Sequence, residues 1–286
     1  MSEVRLGVIG GSGVYDIEAL TDVEQRLIQT PFGEPSDQIV IGTLGGKRIA
    51  FLPRHGRGHR LTPTEVPYRA NIWALKSLGV ERIISISACG SMKEKYAPRH
   101  IVIPDQIYDN TKNRVYSFFG SGLVAHISFA EPFCPHLRQV LATAVERAGG
   151  TLHVGGTFIT IEGPRFSTCA ESQIYRSWGV DIIGMTAVPE AQLAREAEIC
   201  YATMAHVTDY DVWHEEEESV NVEMLIANLM ANAALSKQTL AELVPLLDDE
   251  RPCDCGQALA TAMITRRDLI PSDVIIDLAP IVGKYF

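Results

Sequence analysis

No stretch of this sequence stays apolar for the roughly 20 residues that a membrane-spanning helix requires. The first residues, Met1–Leu6, also lack the basic region and apolar core of a secretory signal. The chain has 286 residues, of which 46% are hydrophobic, so one domain can contain a substantial core. We therefore expect a soluble, cytoplasmic protein built around one enzyme-sized domain.

Basic residues are scarce relative to acidic ones. The 25 Lys and Arg residues are outnumbered by 35 Asp and Glu residues, which gives a net charge of −10. Nucleic acids and anionic membrane surfaces attract proteins with a basic footprint, so neither is expected as a partner. A small anionic substrate is compatible with this composition only if positive charge is concentrated locally.

Motifs for resident metals and nucleotide cofactors are also missing. The loop Gly10-Gly11-Ser12-Gly13 has Asp16 where a dinucleotide fingerprint needs a third glycine, and it lacks the lysine of a P-loop. His214-Glu215 lacks the second histidine of a zinc-protease helix. The acidic run Glu215–Glu218 is typical of the first turn of a helix. The sequence thus predicts neither a metal centre nor a dinucleotide site.

The cysteines form no pair of CxxC motifs and have no histidines at zinc-finger spacing. They occupy positions 89, 134, 169, 200, 253 and 255. Most are expected to be small buried residues. For Cys253-Asp254-Cys255 two interpretations stay open, a redox-active or stapling disulfide and a pair of reduced thiols, the ordinary state in the cytoplasm.

Short apolar runs alternate with helical patterns along the chain, which predicts an α/β domain with helices on both faces of a sheet. The predicted strands are Val4–Ile9, Gln38–Thr43, Arg48–Leu52, Arg82–Ser87, Ile101–Gln106, Gly156–Glu162, Asp181–Met185 and Ile199–Val207. The predicted helices are Pro67–Leu78, Pro135–Ala148, Cys169–Trp178, Pro189–Ala197 and a long helix from about Ser219 to Leu243.

A composition shift near Asp248–Gly256 divides the chain. Acids, prolines and cysteines there are typical of a linker or extended turn. We expect a main domain over residues 1–247 and an accessory extension over residues 248–286, with a weak helix at Ala258–Arg267.

Three loops of unusual composition follow predicted strands. The first is the glycine-rich loop at residues 10–13, and the second, Arg54–Arg60, holds five basic or titratable side chains in seven positions. The third, Ser85–Ser91, consists mostly of small residues. Open α/β sheets bind ligands beyond the carboxyl ends of their strands, so these loops can form one anion site. A bare turn, a solvated basic loop and simple packing of small residues stay open as the alternatives.

The sequence Thr208-Asp209-Tyr210-Asp211 follows the apolar run Ile199–Val207. Alternate side chains of an extended segment point the same way, so Asp209 and Asp211 can meet one ligand together. Two carboxylates in one pocket repel each other, which raises a pKa and leaves a proton available. Alternatively, one Asp caps the next helix while the other is solvated.

Together these segments resemble the trimeric purine nucleoside phosphorylase family, most closely its branch that acts on 5'-methylthioadenosine. The resemblance covers roughly residues 4–245. It is carried by Gly10-Gly11-Ser12-Gly13, Pro53-Arg54-His55-Gly56, Asn71–Leu75, Ser87–Ser91, Ala130–Phe133, Glu162–Ser167, Gly184-Met185-Thr186 and Thr208–Asp211.

The resemblance implies a single α/β domain with a central mixed twisted sheet flanked by helices. It further implies reversible phosphorolysis of 5'-methylthioadenosine to adenine and 5-methylthioribose 1-phosphate. Inorganic phosphate is then the co-substrate, and no metal or organic cofactor is expected. The residues implied at the phosphate site are Ser12, Arg54, His55, Ser87, Ala88 and Thr186.

On the nucleoside side, Met185 resembles the residue that packs against the ribose. Asp209 is the candidate proton donor to purine N7, and Asp211 the acceptor for the amino group at C6. Relatives that act on inosine and guanosine generally have Asn in place of Asp209 and Glu in place of Ser167. Both positions therefore favour a 6-aminopurine, while methylthioinosine and other purine nucleosides stay open as alternatives.

At the 5' end the substrate needs an apolar pocket, and the resemblance places Val222 at a specificity position. Leu225 and Ile226 lie one turn away and fit either this pocket or ordinary helix packing. The resemblance places His126 where it can reach a neighbouring subunit's site; the alternative is a satisfied core or surface histidine. Related proteins are trimers, so a homotrimer is expected, with a hexamer of two trimers as a further option for the tail.

Two rival functions make different predictions. A nucleoside-binding protein that has lost catalysis should lack the proton donor or the phosphate loop, and this chain has both. A dinucleotide-dependent oxidoreductase needs the missing third glycine and an acidic residue after the first helix.

Overall fold

The computed structural model describes residues 4–11, 19–214 and 222–286, with side chains from residue 232 onward in the last range. Within these ranges, every helix is too short or too polar to cross a membrane. The described residues form eleven strands in one sheet with both parallel and antiparallel pairs, which confirms the predicted mixed α/β architecture.

The strands, in chain order, are β1 Leu6–Gly10, β2 Thr21–Arg26, β3 Ile39–Leu44, β4 Lys47–Pro53, β5 Arg82–Ser91, β6 Ile101–Ile103, β7 Gln106–Asn110, β8 Leu152–Val154, β9 Thr157–Ile161, β10 Ile182–Gly184 and β11 Cys200–Asp209. The helices are α1 Tyr68–Ser77, α2 Pro135–Arg147, α3 Cys169–Ser177, α4 Ala187–Glu196, α5 Val222–Leu246, α6 Ser272–Asp277 and α7 Ala279–Val282.

Four parallel strands in the order β4-β1-β5-β11 form the centre of the sheet. Their carboxyl ends therefore meet at one edge. Gly10 pairs with Pro53 across β1 and β4, and Asp209 pairs with Gly90 across β11 and β5. The predicted phosphate loops and the Asp pair are thus brought to the same side of the sheet.

Both faces of this centre are buried, and successive residues of a strand enter opposite cores. Val8 packs with α2 and α5 on one face, whereas Ile9 packs with α1, α4 and α7 on the other. Ile83 and Ile84 of β5 divide in the same way. Because side chains alternate across a strand and helices cover both faces, the central strands are almost continuously apolar.

Local signals explain most helix boundaries. The Thr168 hydroxyl and Glu171 form a capping box at the start of α3. Gly79, Gly149 and Gly179 follow α1, α2 and α3 with φ values of 94°, 79° and 85°, a left-handed backbone that ends helices.

The structure corrects several predicted elements. The predicted strand Ile101–Gln106 is two strands, β6 and β7, because Pro104 between them has no N–H to continue a ladder. The sequence missed the exposed edge strand β2 and the three-residue strand β8. The predicted helix Ala258–Arg267 is wrong. That segment forms turns, and Met263 makes a β-bridge to Ala125 instead.

The extension packs against the main core. Leu259, Leu278 and Val282 are fully or almost fully buried in the cluster that contains α1. The indole Nε1 of Trp73 donates to the carbonyl oxygen of Asp277 at 2.8 Å. The division at residue 247 stays a prediction about domain organisation.

Candidate active site

The two predicted carboxylates lie at the carboxyl end of β11, both partly buried. The register of β11 against β5 shifts between Val207 and Asp209, and Asp211 adopts a positive φ of 54°. These two irregularities turn the chain away from the sheet at this point, so the Asp side chains are held by the sheet edge and not by a helix cap.

Specific hydrogen bonds hold both carboxylates. The Oδ1 atom of Asp209 accepts from the backbone N–H of Asp211 at 2.8 Å, and its Oδ2 lies 2.6 Å from the Thr208 hydroxyl. The Ser172 hydroxyl of α3 donates to Asp211 Oδ2 at 2.6 Å. Thr208 Oγ1 also contacts the carbonyl of Cys89 at 3.2 Å. The Thr208 hydroxyl has one proton to share between these two acceptors, so it holds the Asp209 carboxyl close to the end of β5.

Burial raises the pKa of both carboxyls. For Asp209, loss of solvent is the largest effect and exceeds the opposing hydrogen bonds from Thr208 and Asp211. Burial also dominates for Asp211, and the nearby charge of Asp209 raises its pKa further. The sequence predicted repulsion between the two groups as the cause, whereas desolvation is the larger effect.

The backbone of Gly90 in β5 lies directly against Asp209 and Asp211. A Cβ built on Gly90 would lie 3.0 Å from Asp209 Oδ1 and 2.9 Å from Ile183 Cγ2. Both distances are closer than ordinary van der Waals contact. Only a residue without a side chain allows β5 to approach the carboxylates this closely.

We therefore expect Gly90→Ala to displace the Asp209 carboxylate and lower kcat/KM by tenfold or more, since misplacement by about 1 Å costs about 10²-fold in rate. Gly283→Ala is the matched control, because a Cβ there meets no atom of the described residues within 4 Å. Steady-state kinetics of both variants, with melting temperatures to exclude unfolding, make the comparison. Wild-type kinetics for Gly90→Ala would contradict the role assigned to this contact.

Arg54 lies at the end of β4 and is almost fully buried. Its Nε and Nη2 donate to the two oxygens of Glu190 at 2.8 and 2.9 Å. Further donation to Ser85 Oγ and the Ile86 carbonyl leaves at most one N–H, on Nη1, without an acceptor among the described residues. Burial opposes its charge, but the paired Glu190 carboxylate raises the pKa of Arg54 above the ordinary value. Arg54 therefore joins the loop after β4 to α4.

His55 is partly buried beside Arg54. Its Nδ1 donates to the Leu61 carbonyl at 2.8 Å, so in the neutral ring Nε2 is the acceptor. Burial, and next the positive charge of Arg54, lower the pKa of His55 to about 4. The ring is stacked on His59 at 4.3 Å between centroids. At neutral pH this loop presents an uncharged imidazole.

The other residues predicted to bind phosphate, apart from Ser12, lie at the same edge of the sheet. Ser87 and Ala88 lie in β5 opposite Ala205 and His206 of β11. Thr186 precedes α4, whose first turn contains Glu190, the partner of Arg54. Ser12 lies outside the described residues.

The residues predicted around the ribose and base also lie together. Met185 packs beside Ile183 in a small core, and its Sδ would lie 2.6 Å from a Cβ on Gly163. Ser167 is buried and has no hydrogen-bond partner of normal geometry among the described residues, although its hydroxyl lowers the pKa of Asp211. The side chains of Val222, Leu225 and Ile226 lie outside the described residues, and His126 is exposed.

Sequence reasoning missed Arg114, which is buried under this site. Its five N–H groups reach the Glu162 carboxylate, the Tyr68 hydroxyl and the backbone carbonyls of Val188, Glu162 and Met185. Arg114 therefore fixes the loop that carries Gly163 and the backbone of Met185. Sequence reasoning also missed Glu190. An acidic residue within the apolar run of α4 is itself a sign of a buried partner.

Comparisons with known proteins agree with this architecture. Residues 5–245 match the model of the phosphorylase superfamily. A protein of Geobacter sulfurreducens named S-methyl-5'-thioadenosine phosphorylase is 55% identical over 284 residues, covering 99% of both chains.

Two solved structures are also similar. A methylthioadenosine phosphorylase from an Antarctic soil metagenomic library has a TM-score of 0.94 and 49% identity, covering 98% of this chain and 99% of that one. The methylthioadenosine phosphorylase of Schistosoma mansoni in complex with adenine has a TM-score of 0.84 and 40% identity, covering 93% and 100%. The chain therefore belongs to the phosphorylase superfamily and, within it, groups with the proteins named S-methyl-5'-thioadenosine phosphorylase.

Proposed function

We propose that this protein is a pentosyltransferase that catalyses the reversible phosphorolysis of 5'-methylthioadenosine to adenine and 5-methylthioribose 1-phosphate. The observation that carries the proposal is the pair Asp209 and Asp211 at the end of β11, with raised pKa values and fixed by Thr208 and Ser172. The reaction is a step of purine and methionine salvage.

On the base side, cleavage of the glycosidic bond leaves negative charge on the purine. A carboxyl with a raised pKa keeps its proton to a higher pH, and while protonated it can donate to N7 as the base departs. Burial raises the pKa of Asp209, and the Thr208 hydroxyl holds its carboxyl in position. Asp211 then accepts a hydrogen bond from the amino group at C6.

On the phosphate side, we assign the anion site to Ser12, Arg54, His55, Ser87, Ala88 and Thr186. Glu190 neutralises most of the Arg54 charge, so Arg54 contributes one N–H and, above all, the rigidity of the loop. Neutral His55 adds a polar contact without a second charge. The remaining donors are hydroxyls and backbone amides. Phosphate serves as nucleophile and as counter-charge to the oxocarbenium-like ribose.

Specificity for an amino group at C6 follows from the acceptors at the site. A carboxylate facing the oxygen of a 6-oxopurine leaves acceptors unpaired, which costs about 1–3 kcal/mol when they are buried. Ser167 lies next to Asp211 and, unlike a Glu at this position, is small and adds no charge near the purine. Met185 contacts the ribose, and Val222 is assigned to the apolar 5' pocket.

A phosphate-dependent base-release assay on methylthioadenosine, methylthioinosine, adenosine and inosine tests the proposal directly. We expect the highest kcat/KM for methylthioadenosine and no base release without phosphate. Release of base at equal rates without phosphate would indicate a hydrolase. Binding without release would indicate a protein that kept the fold and lost catalysis.

The raised pKa of Asp209 also predicts how the rate depends on pH. The donor is active while protonated, so kcat/KM should fall as pH rises through its raised pKa. Its ordinary value is 3.8. Rate profiles of the wild type and Asp209→Asn between about pH 5 and 9 check this, since the amide cannot titrate and its profile should lack the falling limb. The same limb in both enzymes would assign it to another group.

We further propose that the enzyme works without a resident metal or organic cofactor at the active site and assembles as a homotrimer. Large apolar side chains remain exposed on the single chain, among them Val115, Trp178 and Ile276. Burial of such side chains between subunits is the simplest use for them. Sedimentation analysis distinguishes a trimer from a hexamer of two trimers.

A further inference from the structure

Four cysteines that are far apart in the sequence meet at the end of the sheet opposite the active site. Cys134 immediately precedes α2, Cys200 begins β11, and Cys253 and Cys255 belong to the segment after α5. Their four sulfur atoms all lie within 4.8 Å of one another. The sequence predicted no metal site because none of the cysteines forms a CxxC pair, and only the fold brings the four together.

The distances between the sulfur atoms fit ligands that share one ion. Cys253 Sγ lies 3.4 Å from Cys200 Sγ and 3.7 Å from Cys134 Sγ. Four thiolates at about 2.3 Å from a tetrahedral Zn²⁺ are separated from one another by about 3.8 Å. A disulfide needs about 2.05 Å between its sulfur atoms, and it joins two cysteines where four are gathered here.

The sulfur of Cys134 lies where a helix favours negative charge. Cys134 is the N-cap of α2, and its sulfur accepts the backbone N–H of Leu137 at 3.4 Å. The N-terminus of a helix stabilises a thiolate. Cys134, Cys200 and Cys255 are buried while Cys253 is partly exposed, which provides a path for a metal ion from solvent.

We propose that Cys134, Cys200, Cys253 and Cys255 form a structural Zn²⁺ site that fastens the C-terminal extension to the core. Four sulfur ligands complete a tetrahedral shell and leave no position for water or substrate, so the ion is structural and takes no part in catalysis. The site joins the start of β11, the start of α2 and the extension.

The site is independent of the proposed phosphorolysis. Cys200 and Asp209 are the first and last residues of the ten-residue strand β11, so they are separated by about 30 Å. Removal of the metal should therefore lower stability while the chemistry of the folded enzyme is unchanged. This difference separates failure of the metal proposal from failure of the proposed function.

The test measures metal content in the full-length protein, expressed with zinc in the medium and purified anaerobically with reductant. We expect about one Zn²⁺ per chain in the wild type and less than about a tenth of that in the double variant Cys253→Ser/Cys255→Ser. The matched control is Cys169→Ser, because Cys169 is exposed and is not one of the four. Its zinc content should equal that of the wild type.

Two further measurements keep the proposal testable if the double variant fails to fold. A strong chelator should lower the wild-type melting temperature by roughly 5 °C or more, and Zn²⁺ should restore it. Replacement with Co²⁺ should give the intense visible and near-ultraviolet absorption of a tetrahedral thiolate complex. Zinc no higher in the wild type than in the double variant would overturn the proposal. So would mass spectrometry showing the four cysteines joined in two disulfides in the metal-free, reductively purified protein.

Discussion

The variant Asp209→Asn is expected to turn over methylthioadenosine about 10²–10⁴ times more slowly than the wild type, with little change in stability. The amide is nearly isosteric with the carboxyl and can keep the hydrogen bond from the Asp211 N–H. It has no acidic proton to transfer to N7, so the base departs with more negative charge. An amide can also donate to a 6-oxo group, so the ratio of inosine to methylthioadenosine turnover should rise.

Initial rates on four nucleosides at saturating phosphate measure both effects. Asp273→Asn is the control, because Asp273 is exposed in α6 at the far end of the chain. Asp211→Asn should mainly raise KM, since Asp211 is assigned an acceptor role. A drop in kcat for Asp211→Asn with normal kcat for Asp209→Asn would show that Asp211 is the proton donor and Asp209 the acceptor.

Replacing Arg54 with Ala is expected to destabilise the protein by about 3–5 kcal/mol and to raise KM for phosphate more than KM for the nucleoside. The loss of stability arises because Glu190 would remain buried without its partner. The loss of phosphate affinity arises because the loop at the end of β4 would no longer be fixed to Ser85 and the Ile86 carbonyl.

The double variant Arg54→Ala/Glu190→Gln separates these two consequences. Removing the unpaired charge should restore part of the lost stability, while the phosphate requirement stays high. Arg57→Ala is the matched control from the same loop, because this exposed arginine should change stability by no more than about 0.5 kcal/mol. Equal changes in both KM values for the double variant would show that Arg54 acts on the fold alone.

The sequence predicted the site from short segments that each follow a strand. Asp209, Asp211 and the Arg54-His55 pair could be found because polar residues directly after an apolar run mark the end of a buried strand. The structure places these segments at one edge of the sheet. It also changes their interpretation, because Arg54 is held mainly by Glu190, which lies 136 residues away.

Other features had no local signal. Nothing around Arg114 indicates that its guanidinium will reach Tyr68, Glu162 and the carbonyl of Met185. The edge strand β2 is short, exposed and charged, so its apolar pattern is weak. The segment Ala258–Arg267 has helix-forming residues, yet a bridge to Ala125 decides its conformation.

By itself the sequence determined the alternation of strands and helices, the chemistry of each strand end and the family to which the chain belongs. These depend on residue type and on spacing within a few residues, which a linear pattern contains. The tertiary structure alone decided that Arg54 pairs with Glu190, that burial raises the pKa of Asp209 and Asp211, and that four scattered cysteines meet. Each of these depends on distance and solvent exclusion between segments remote in the chain, and only packing sets them.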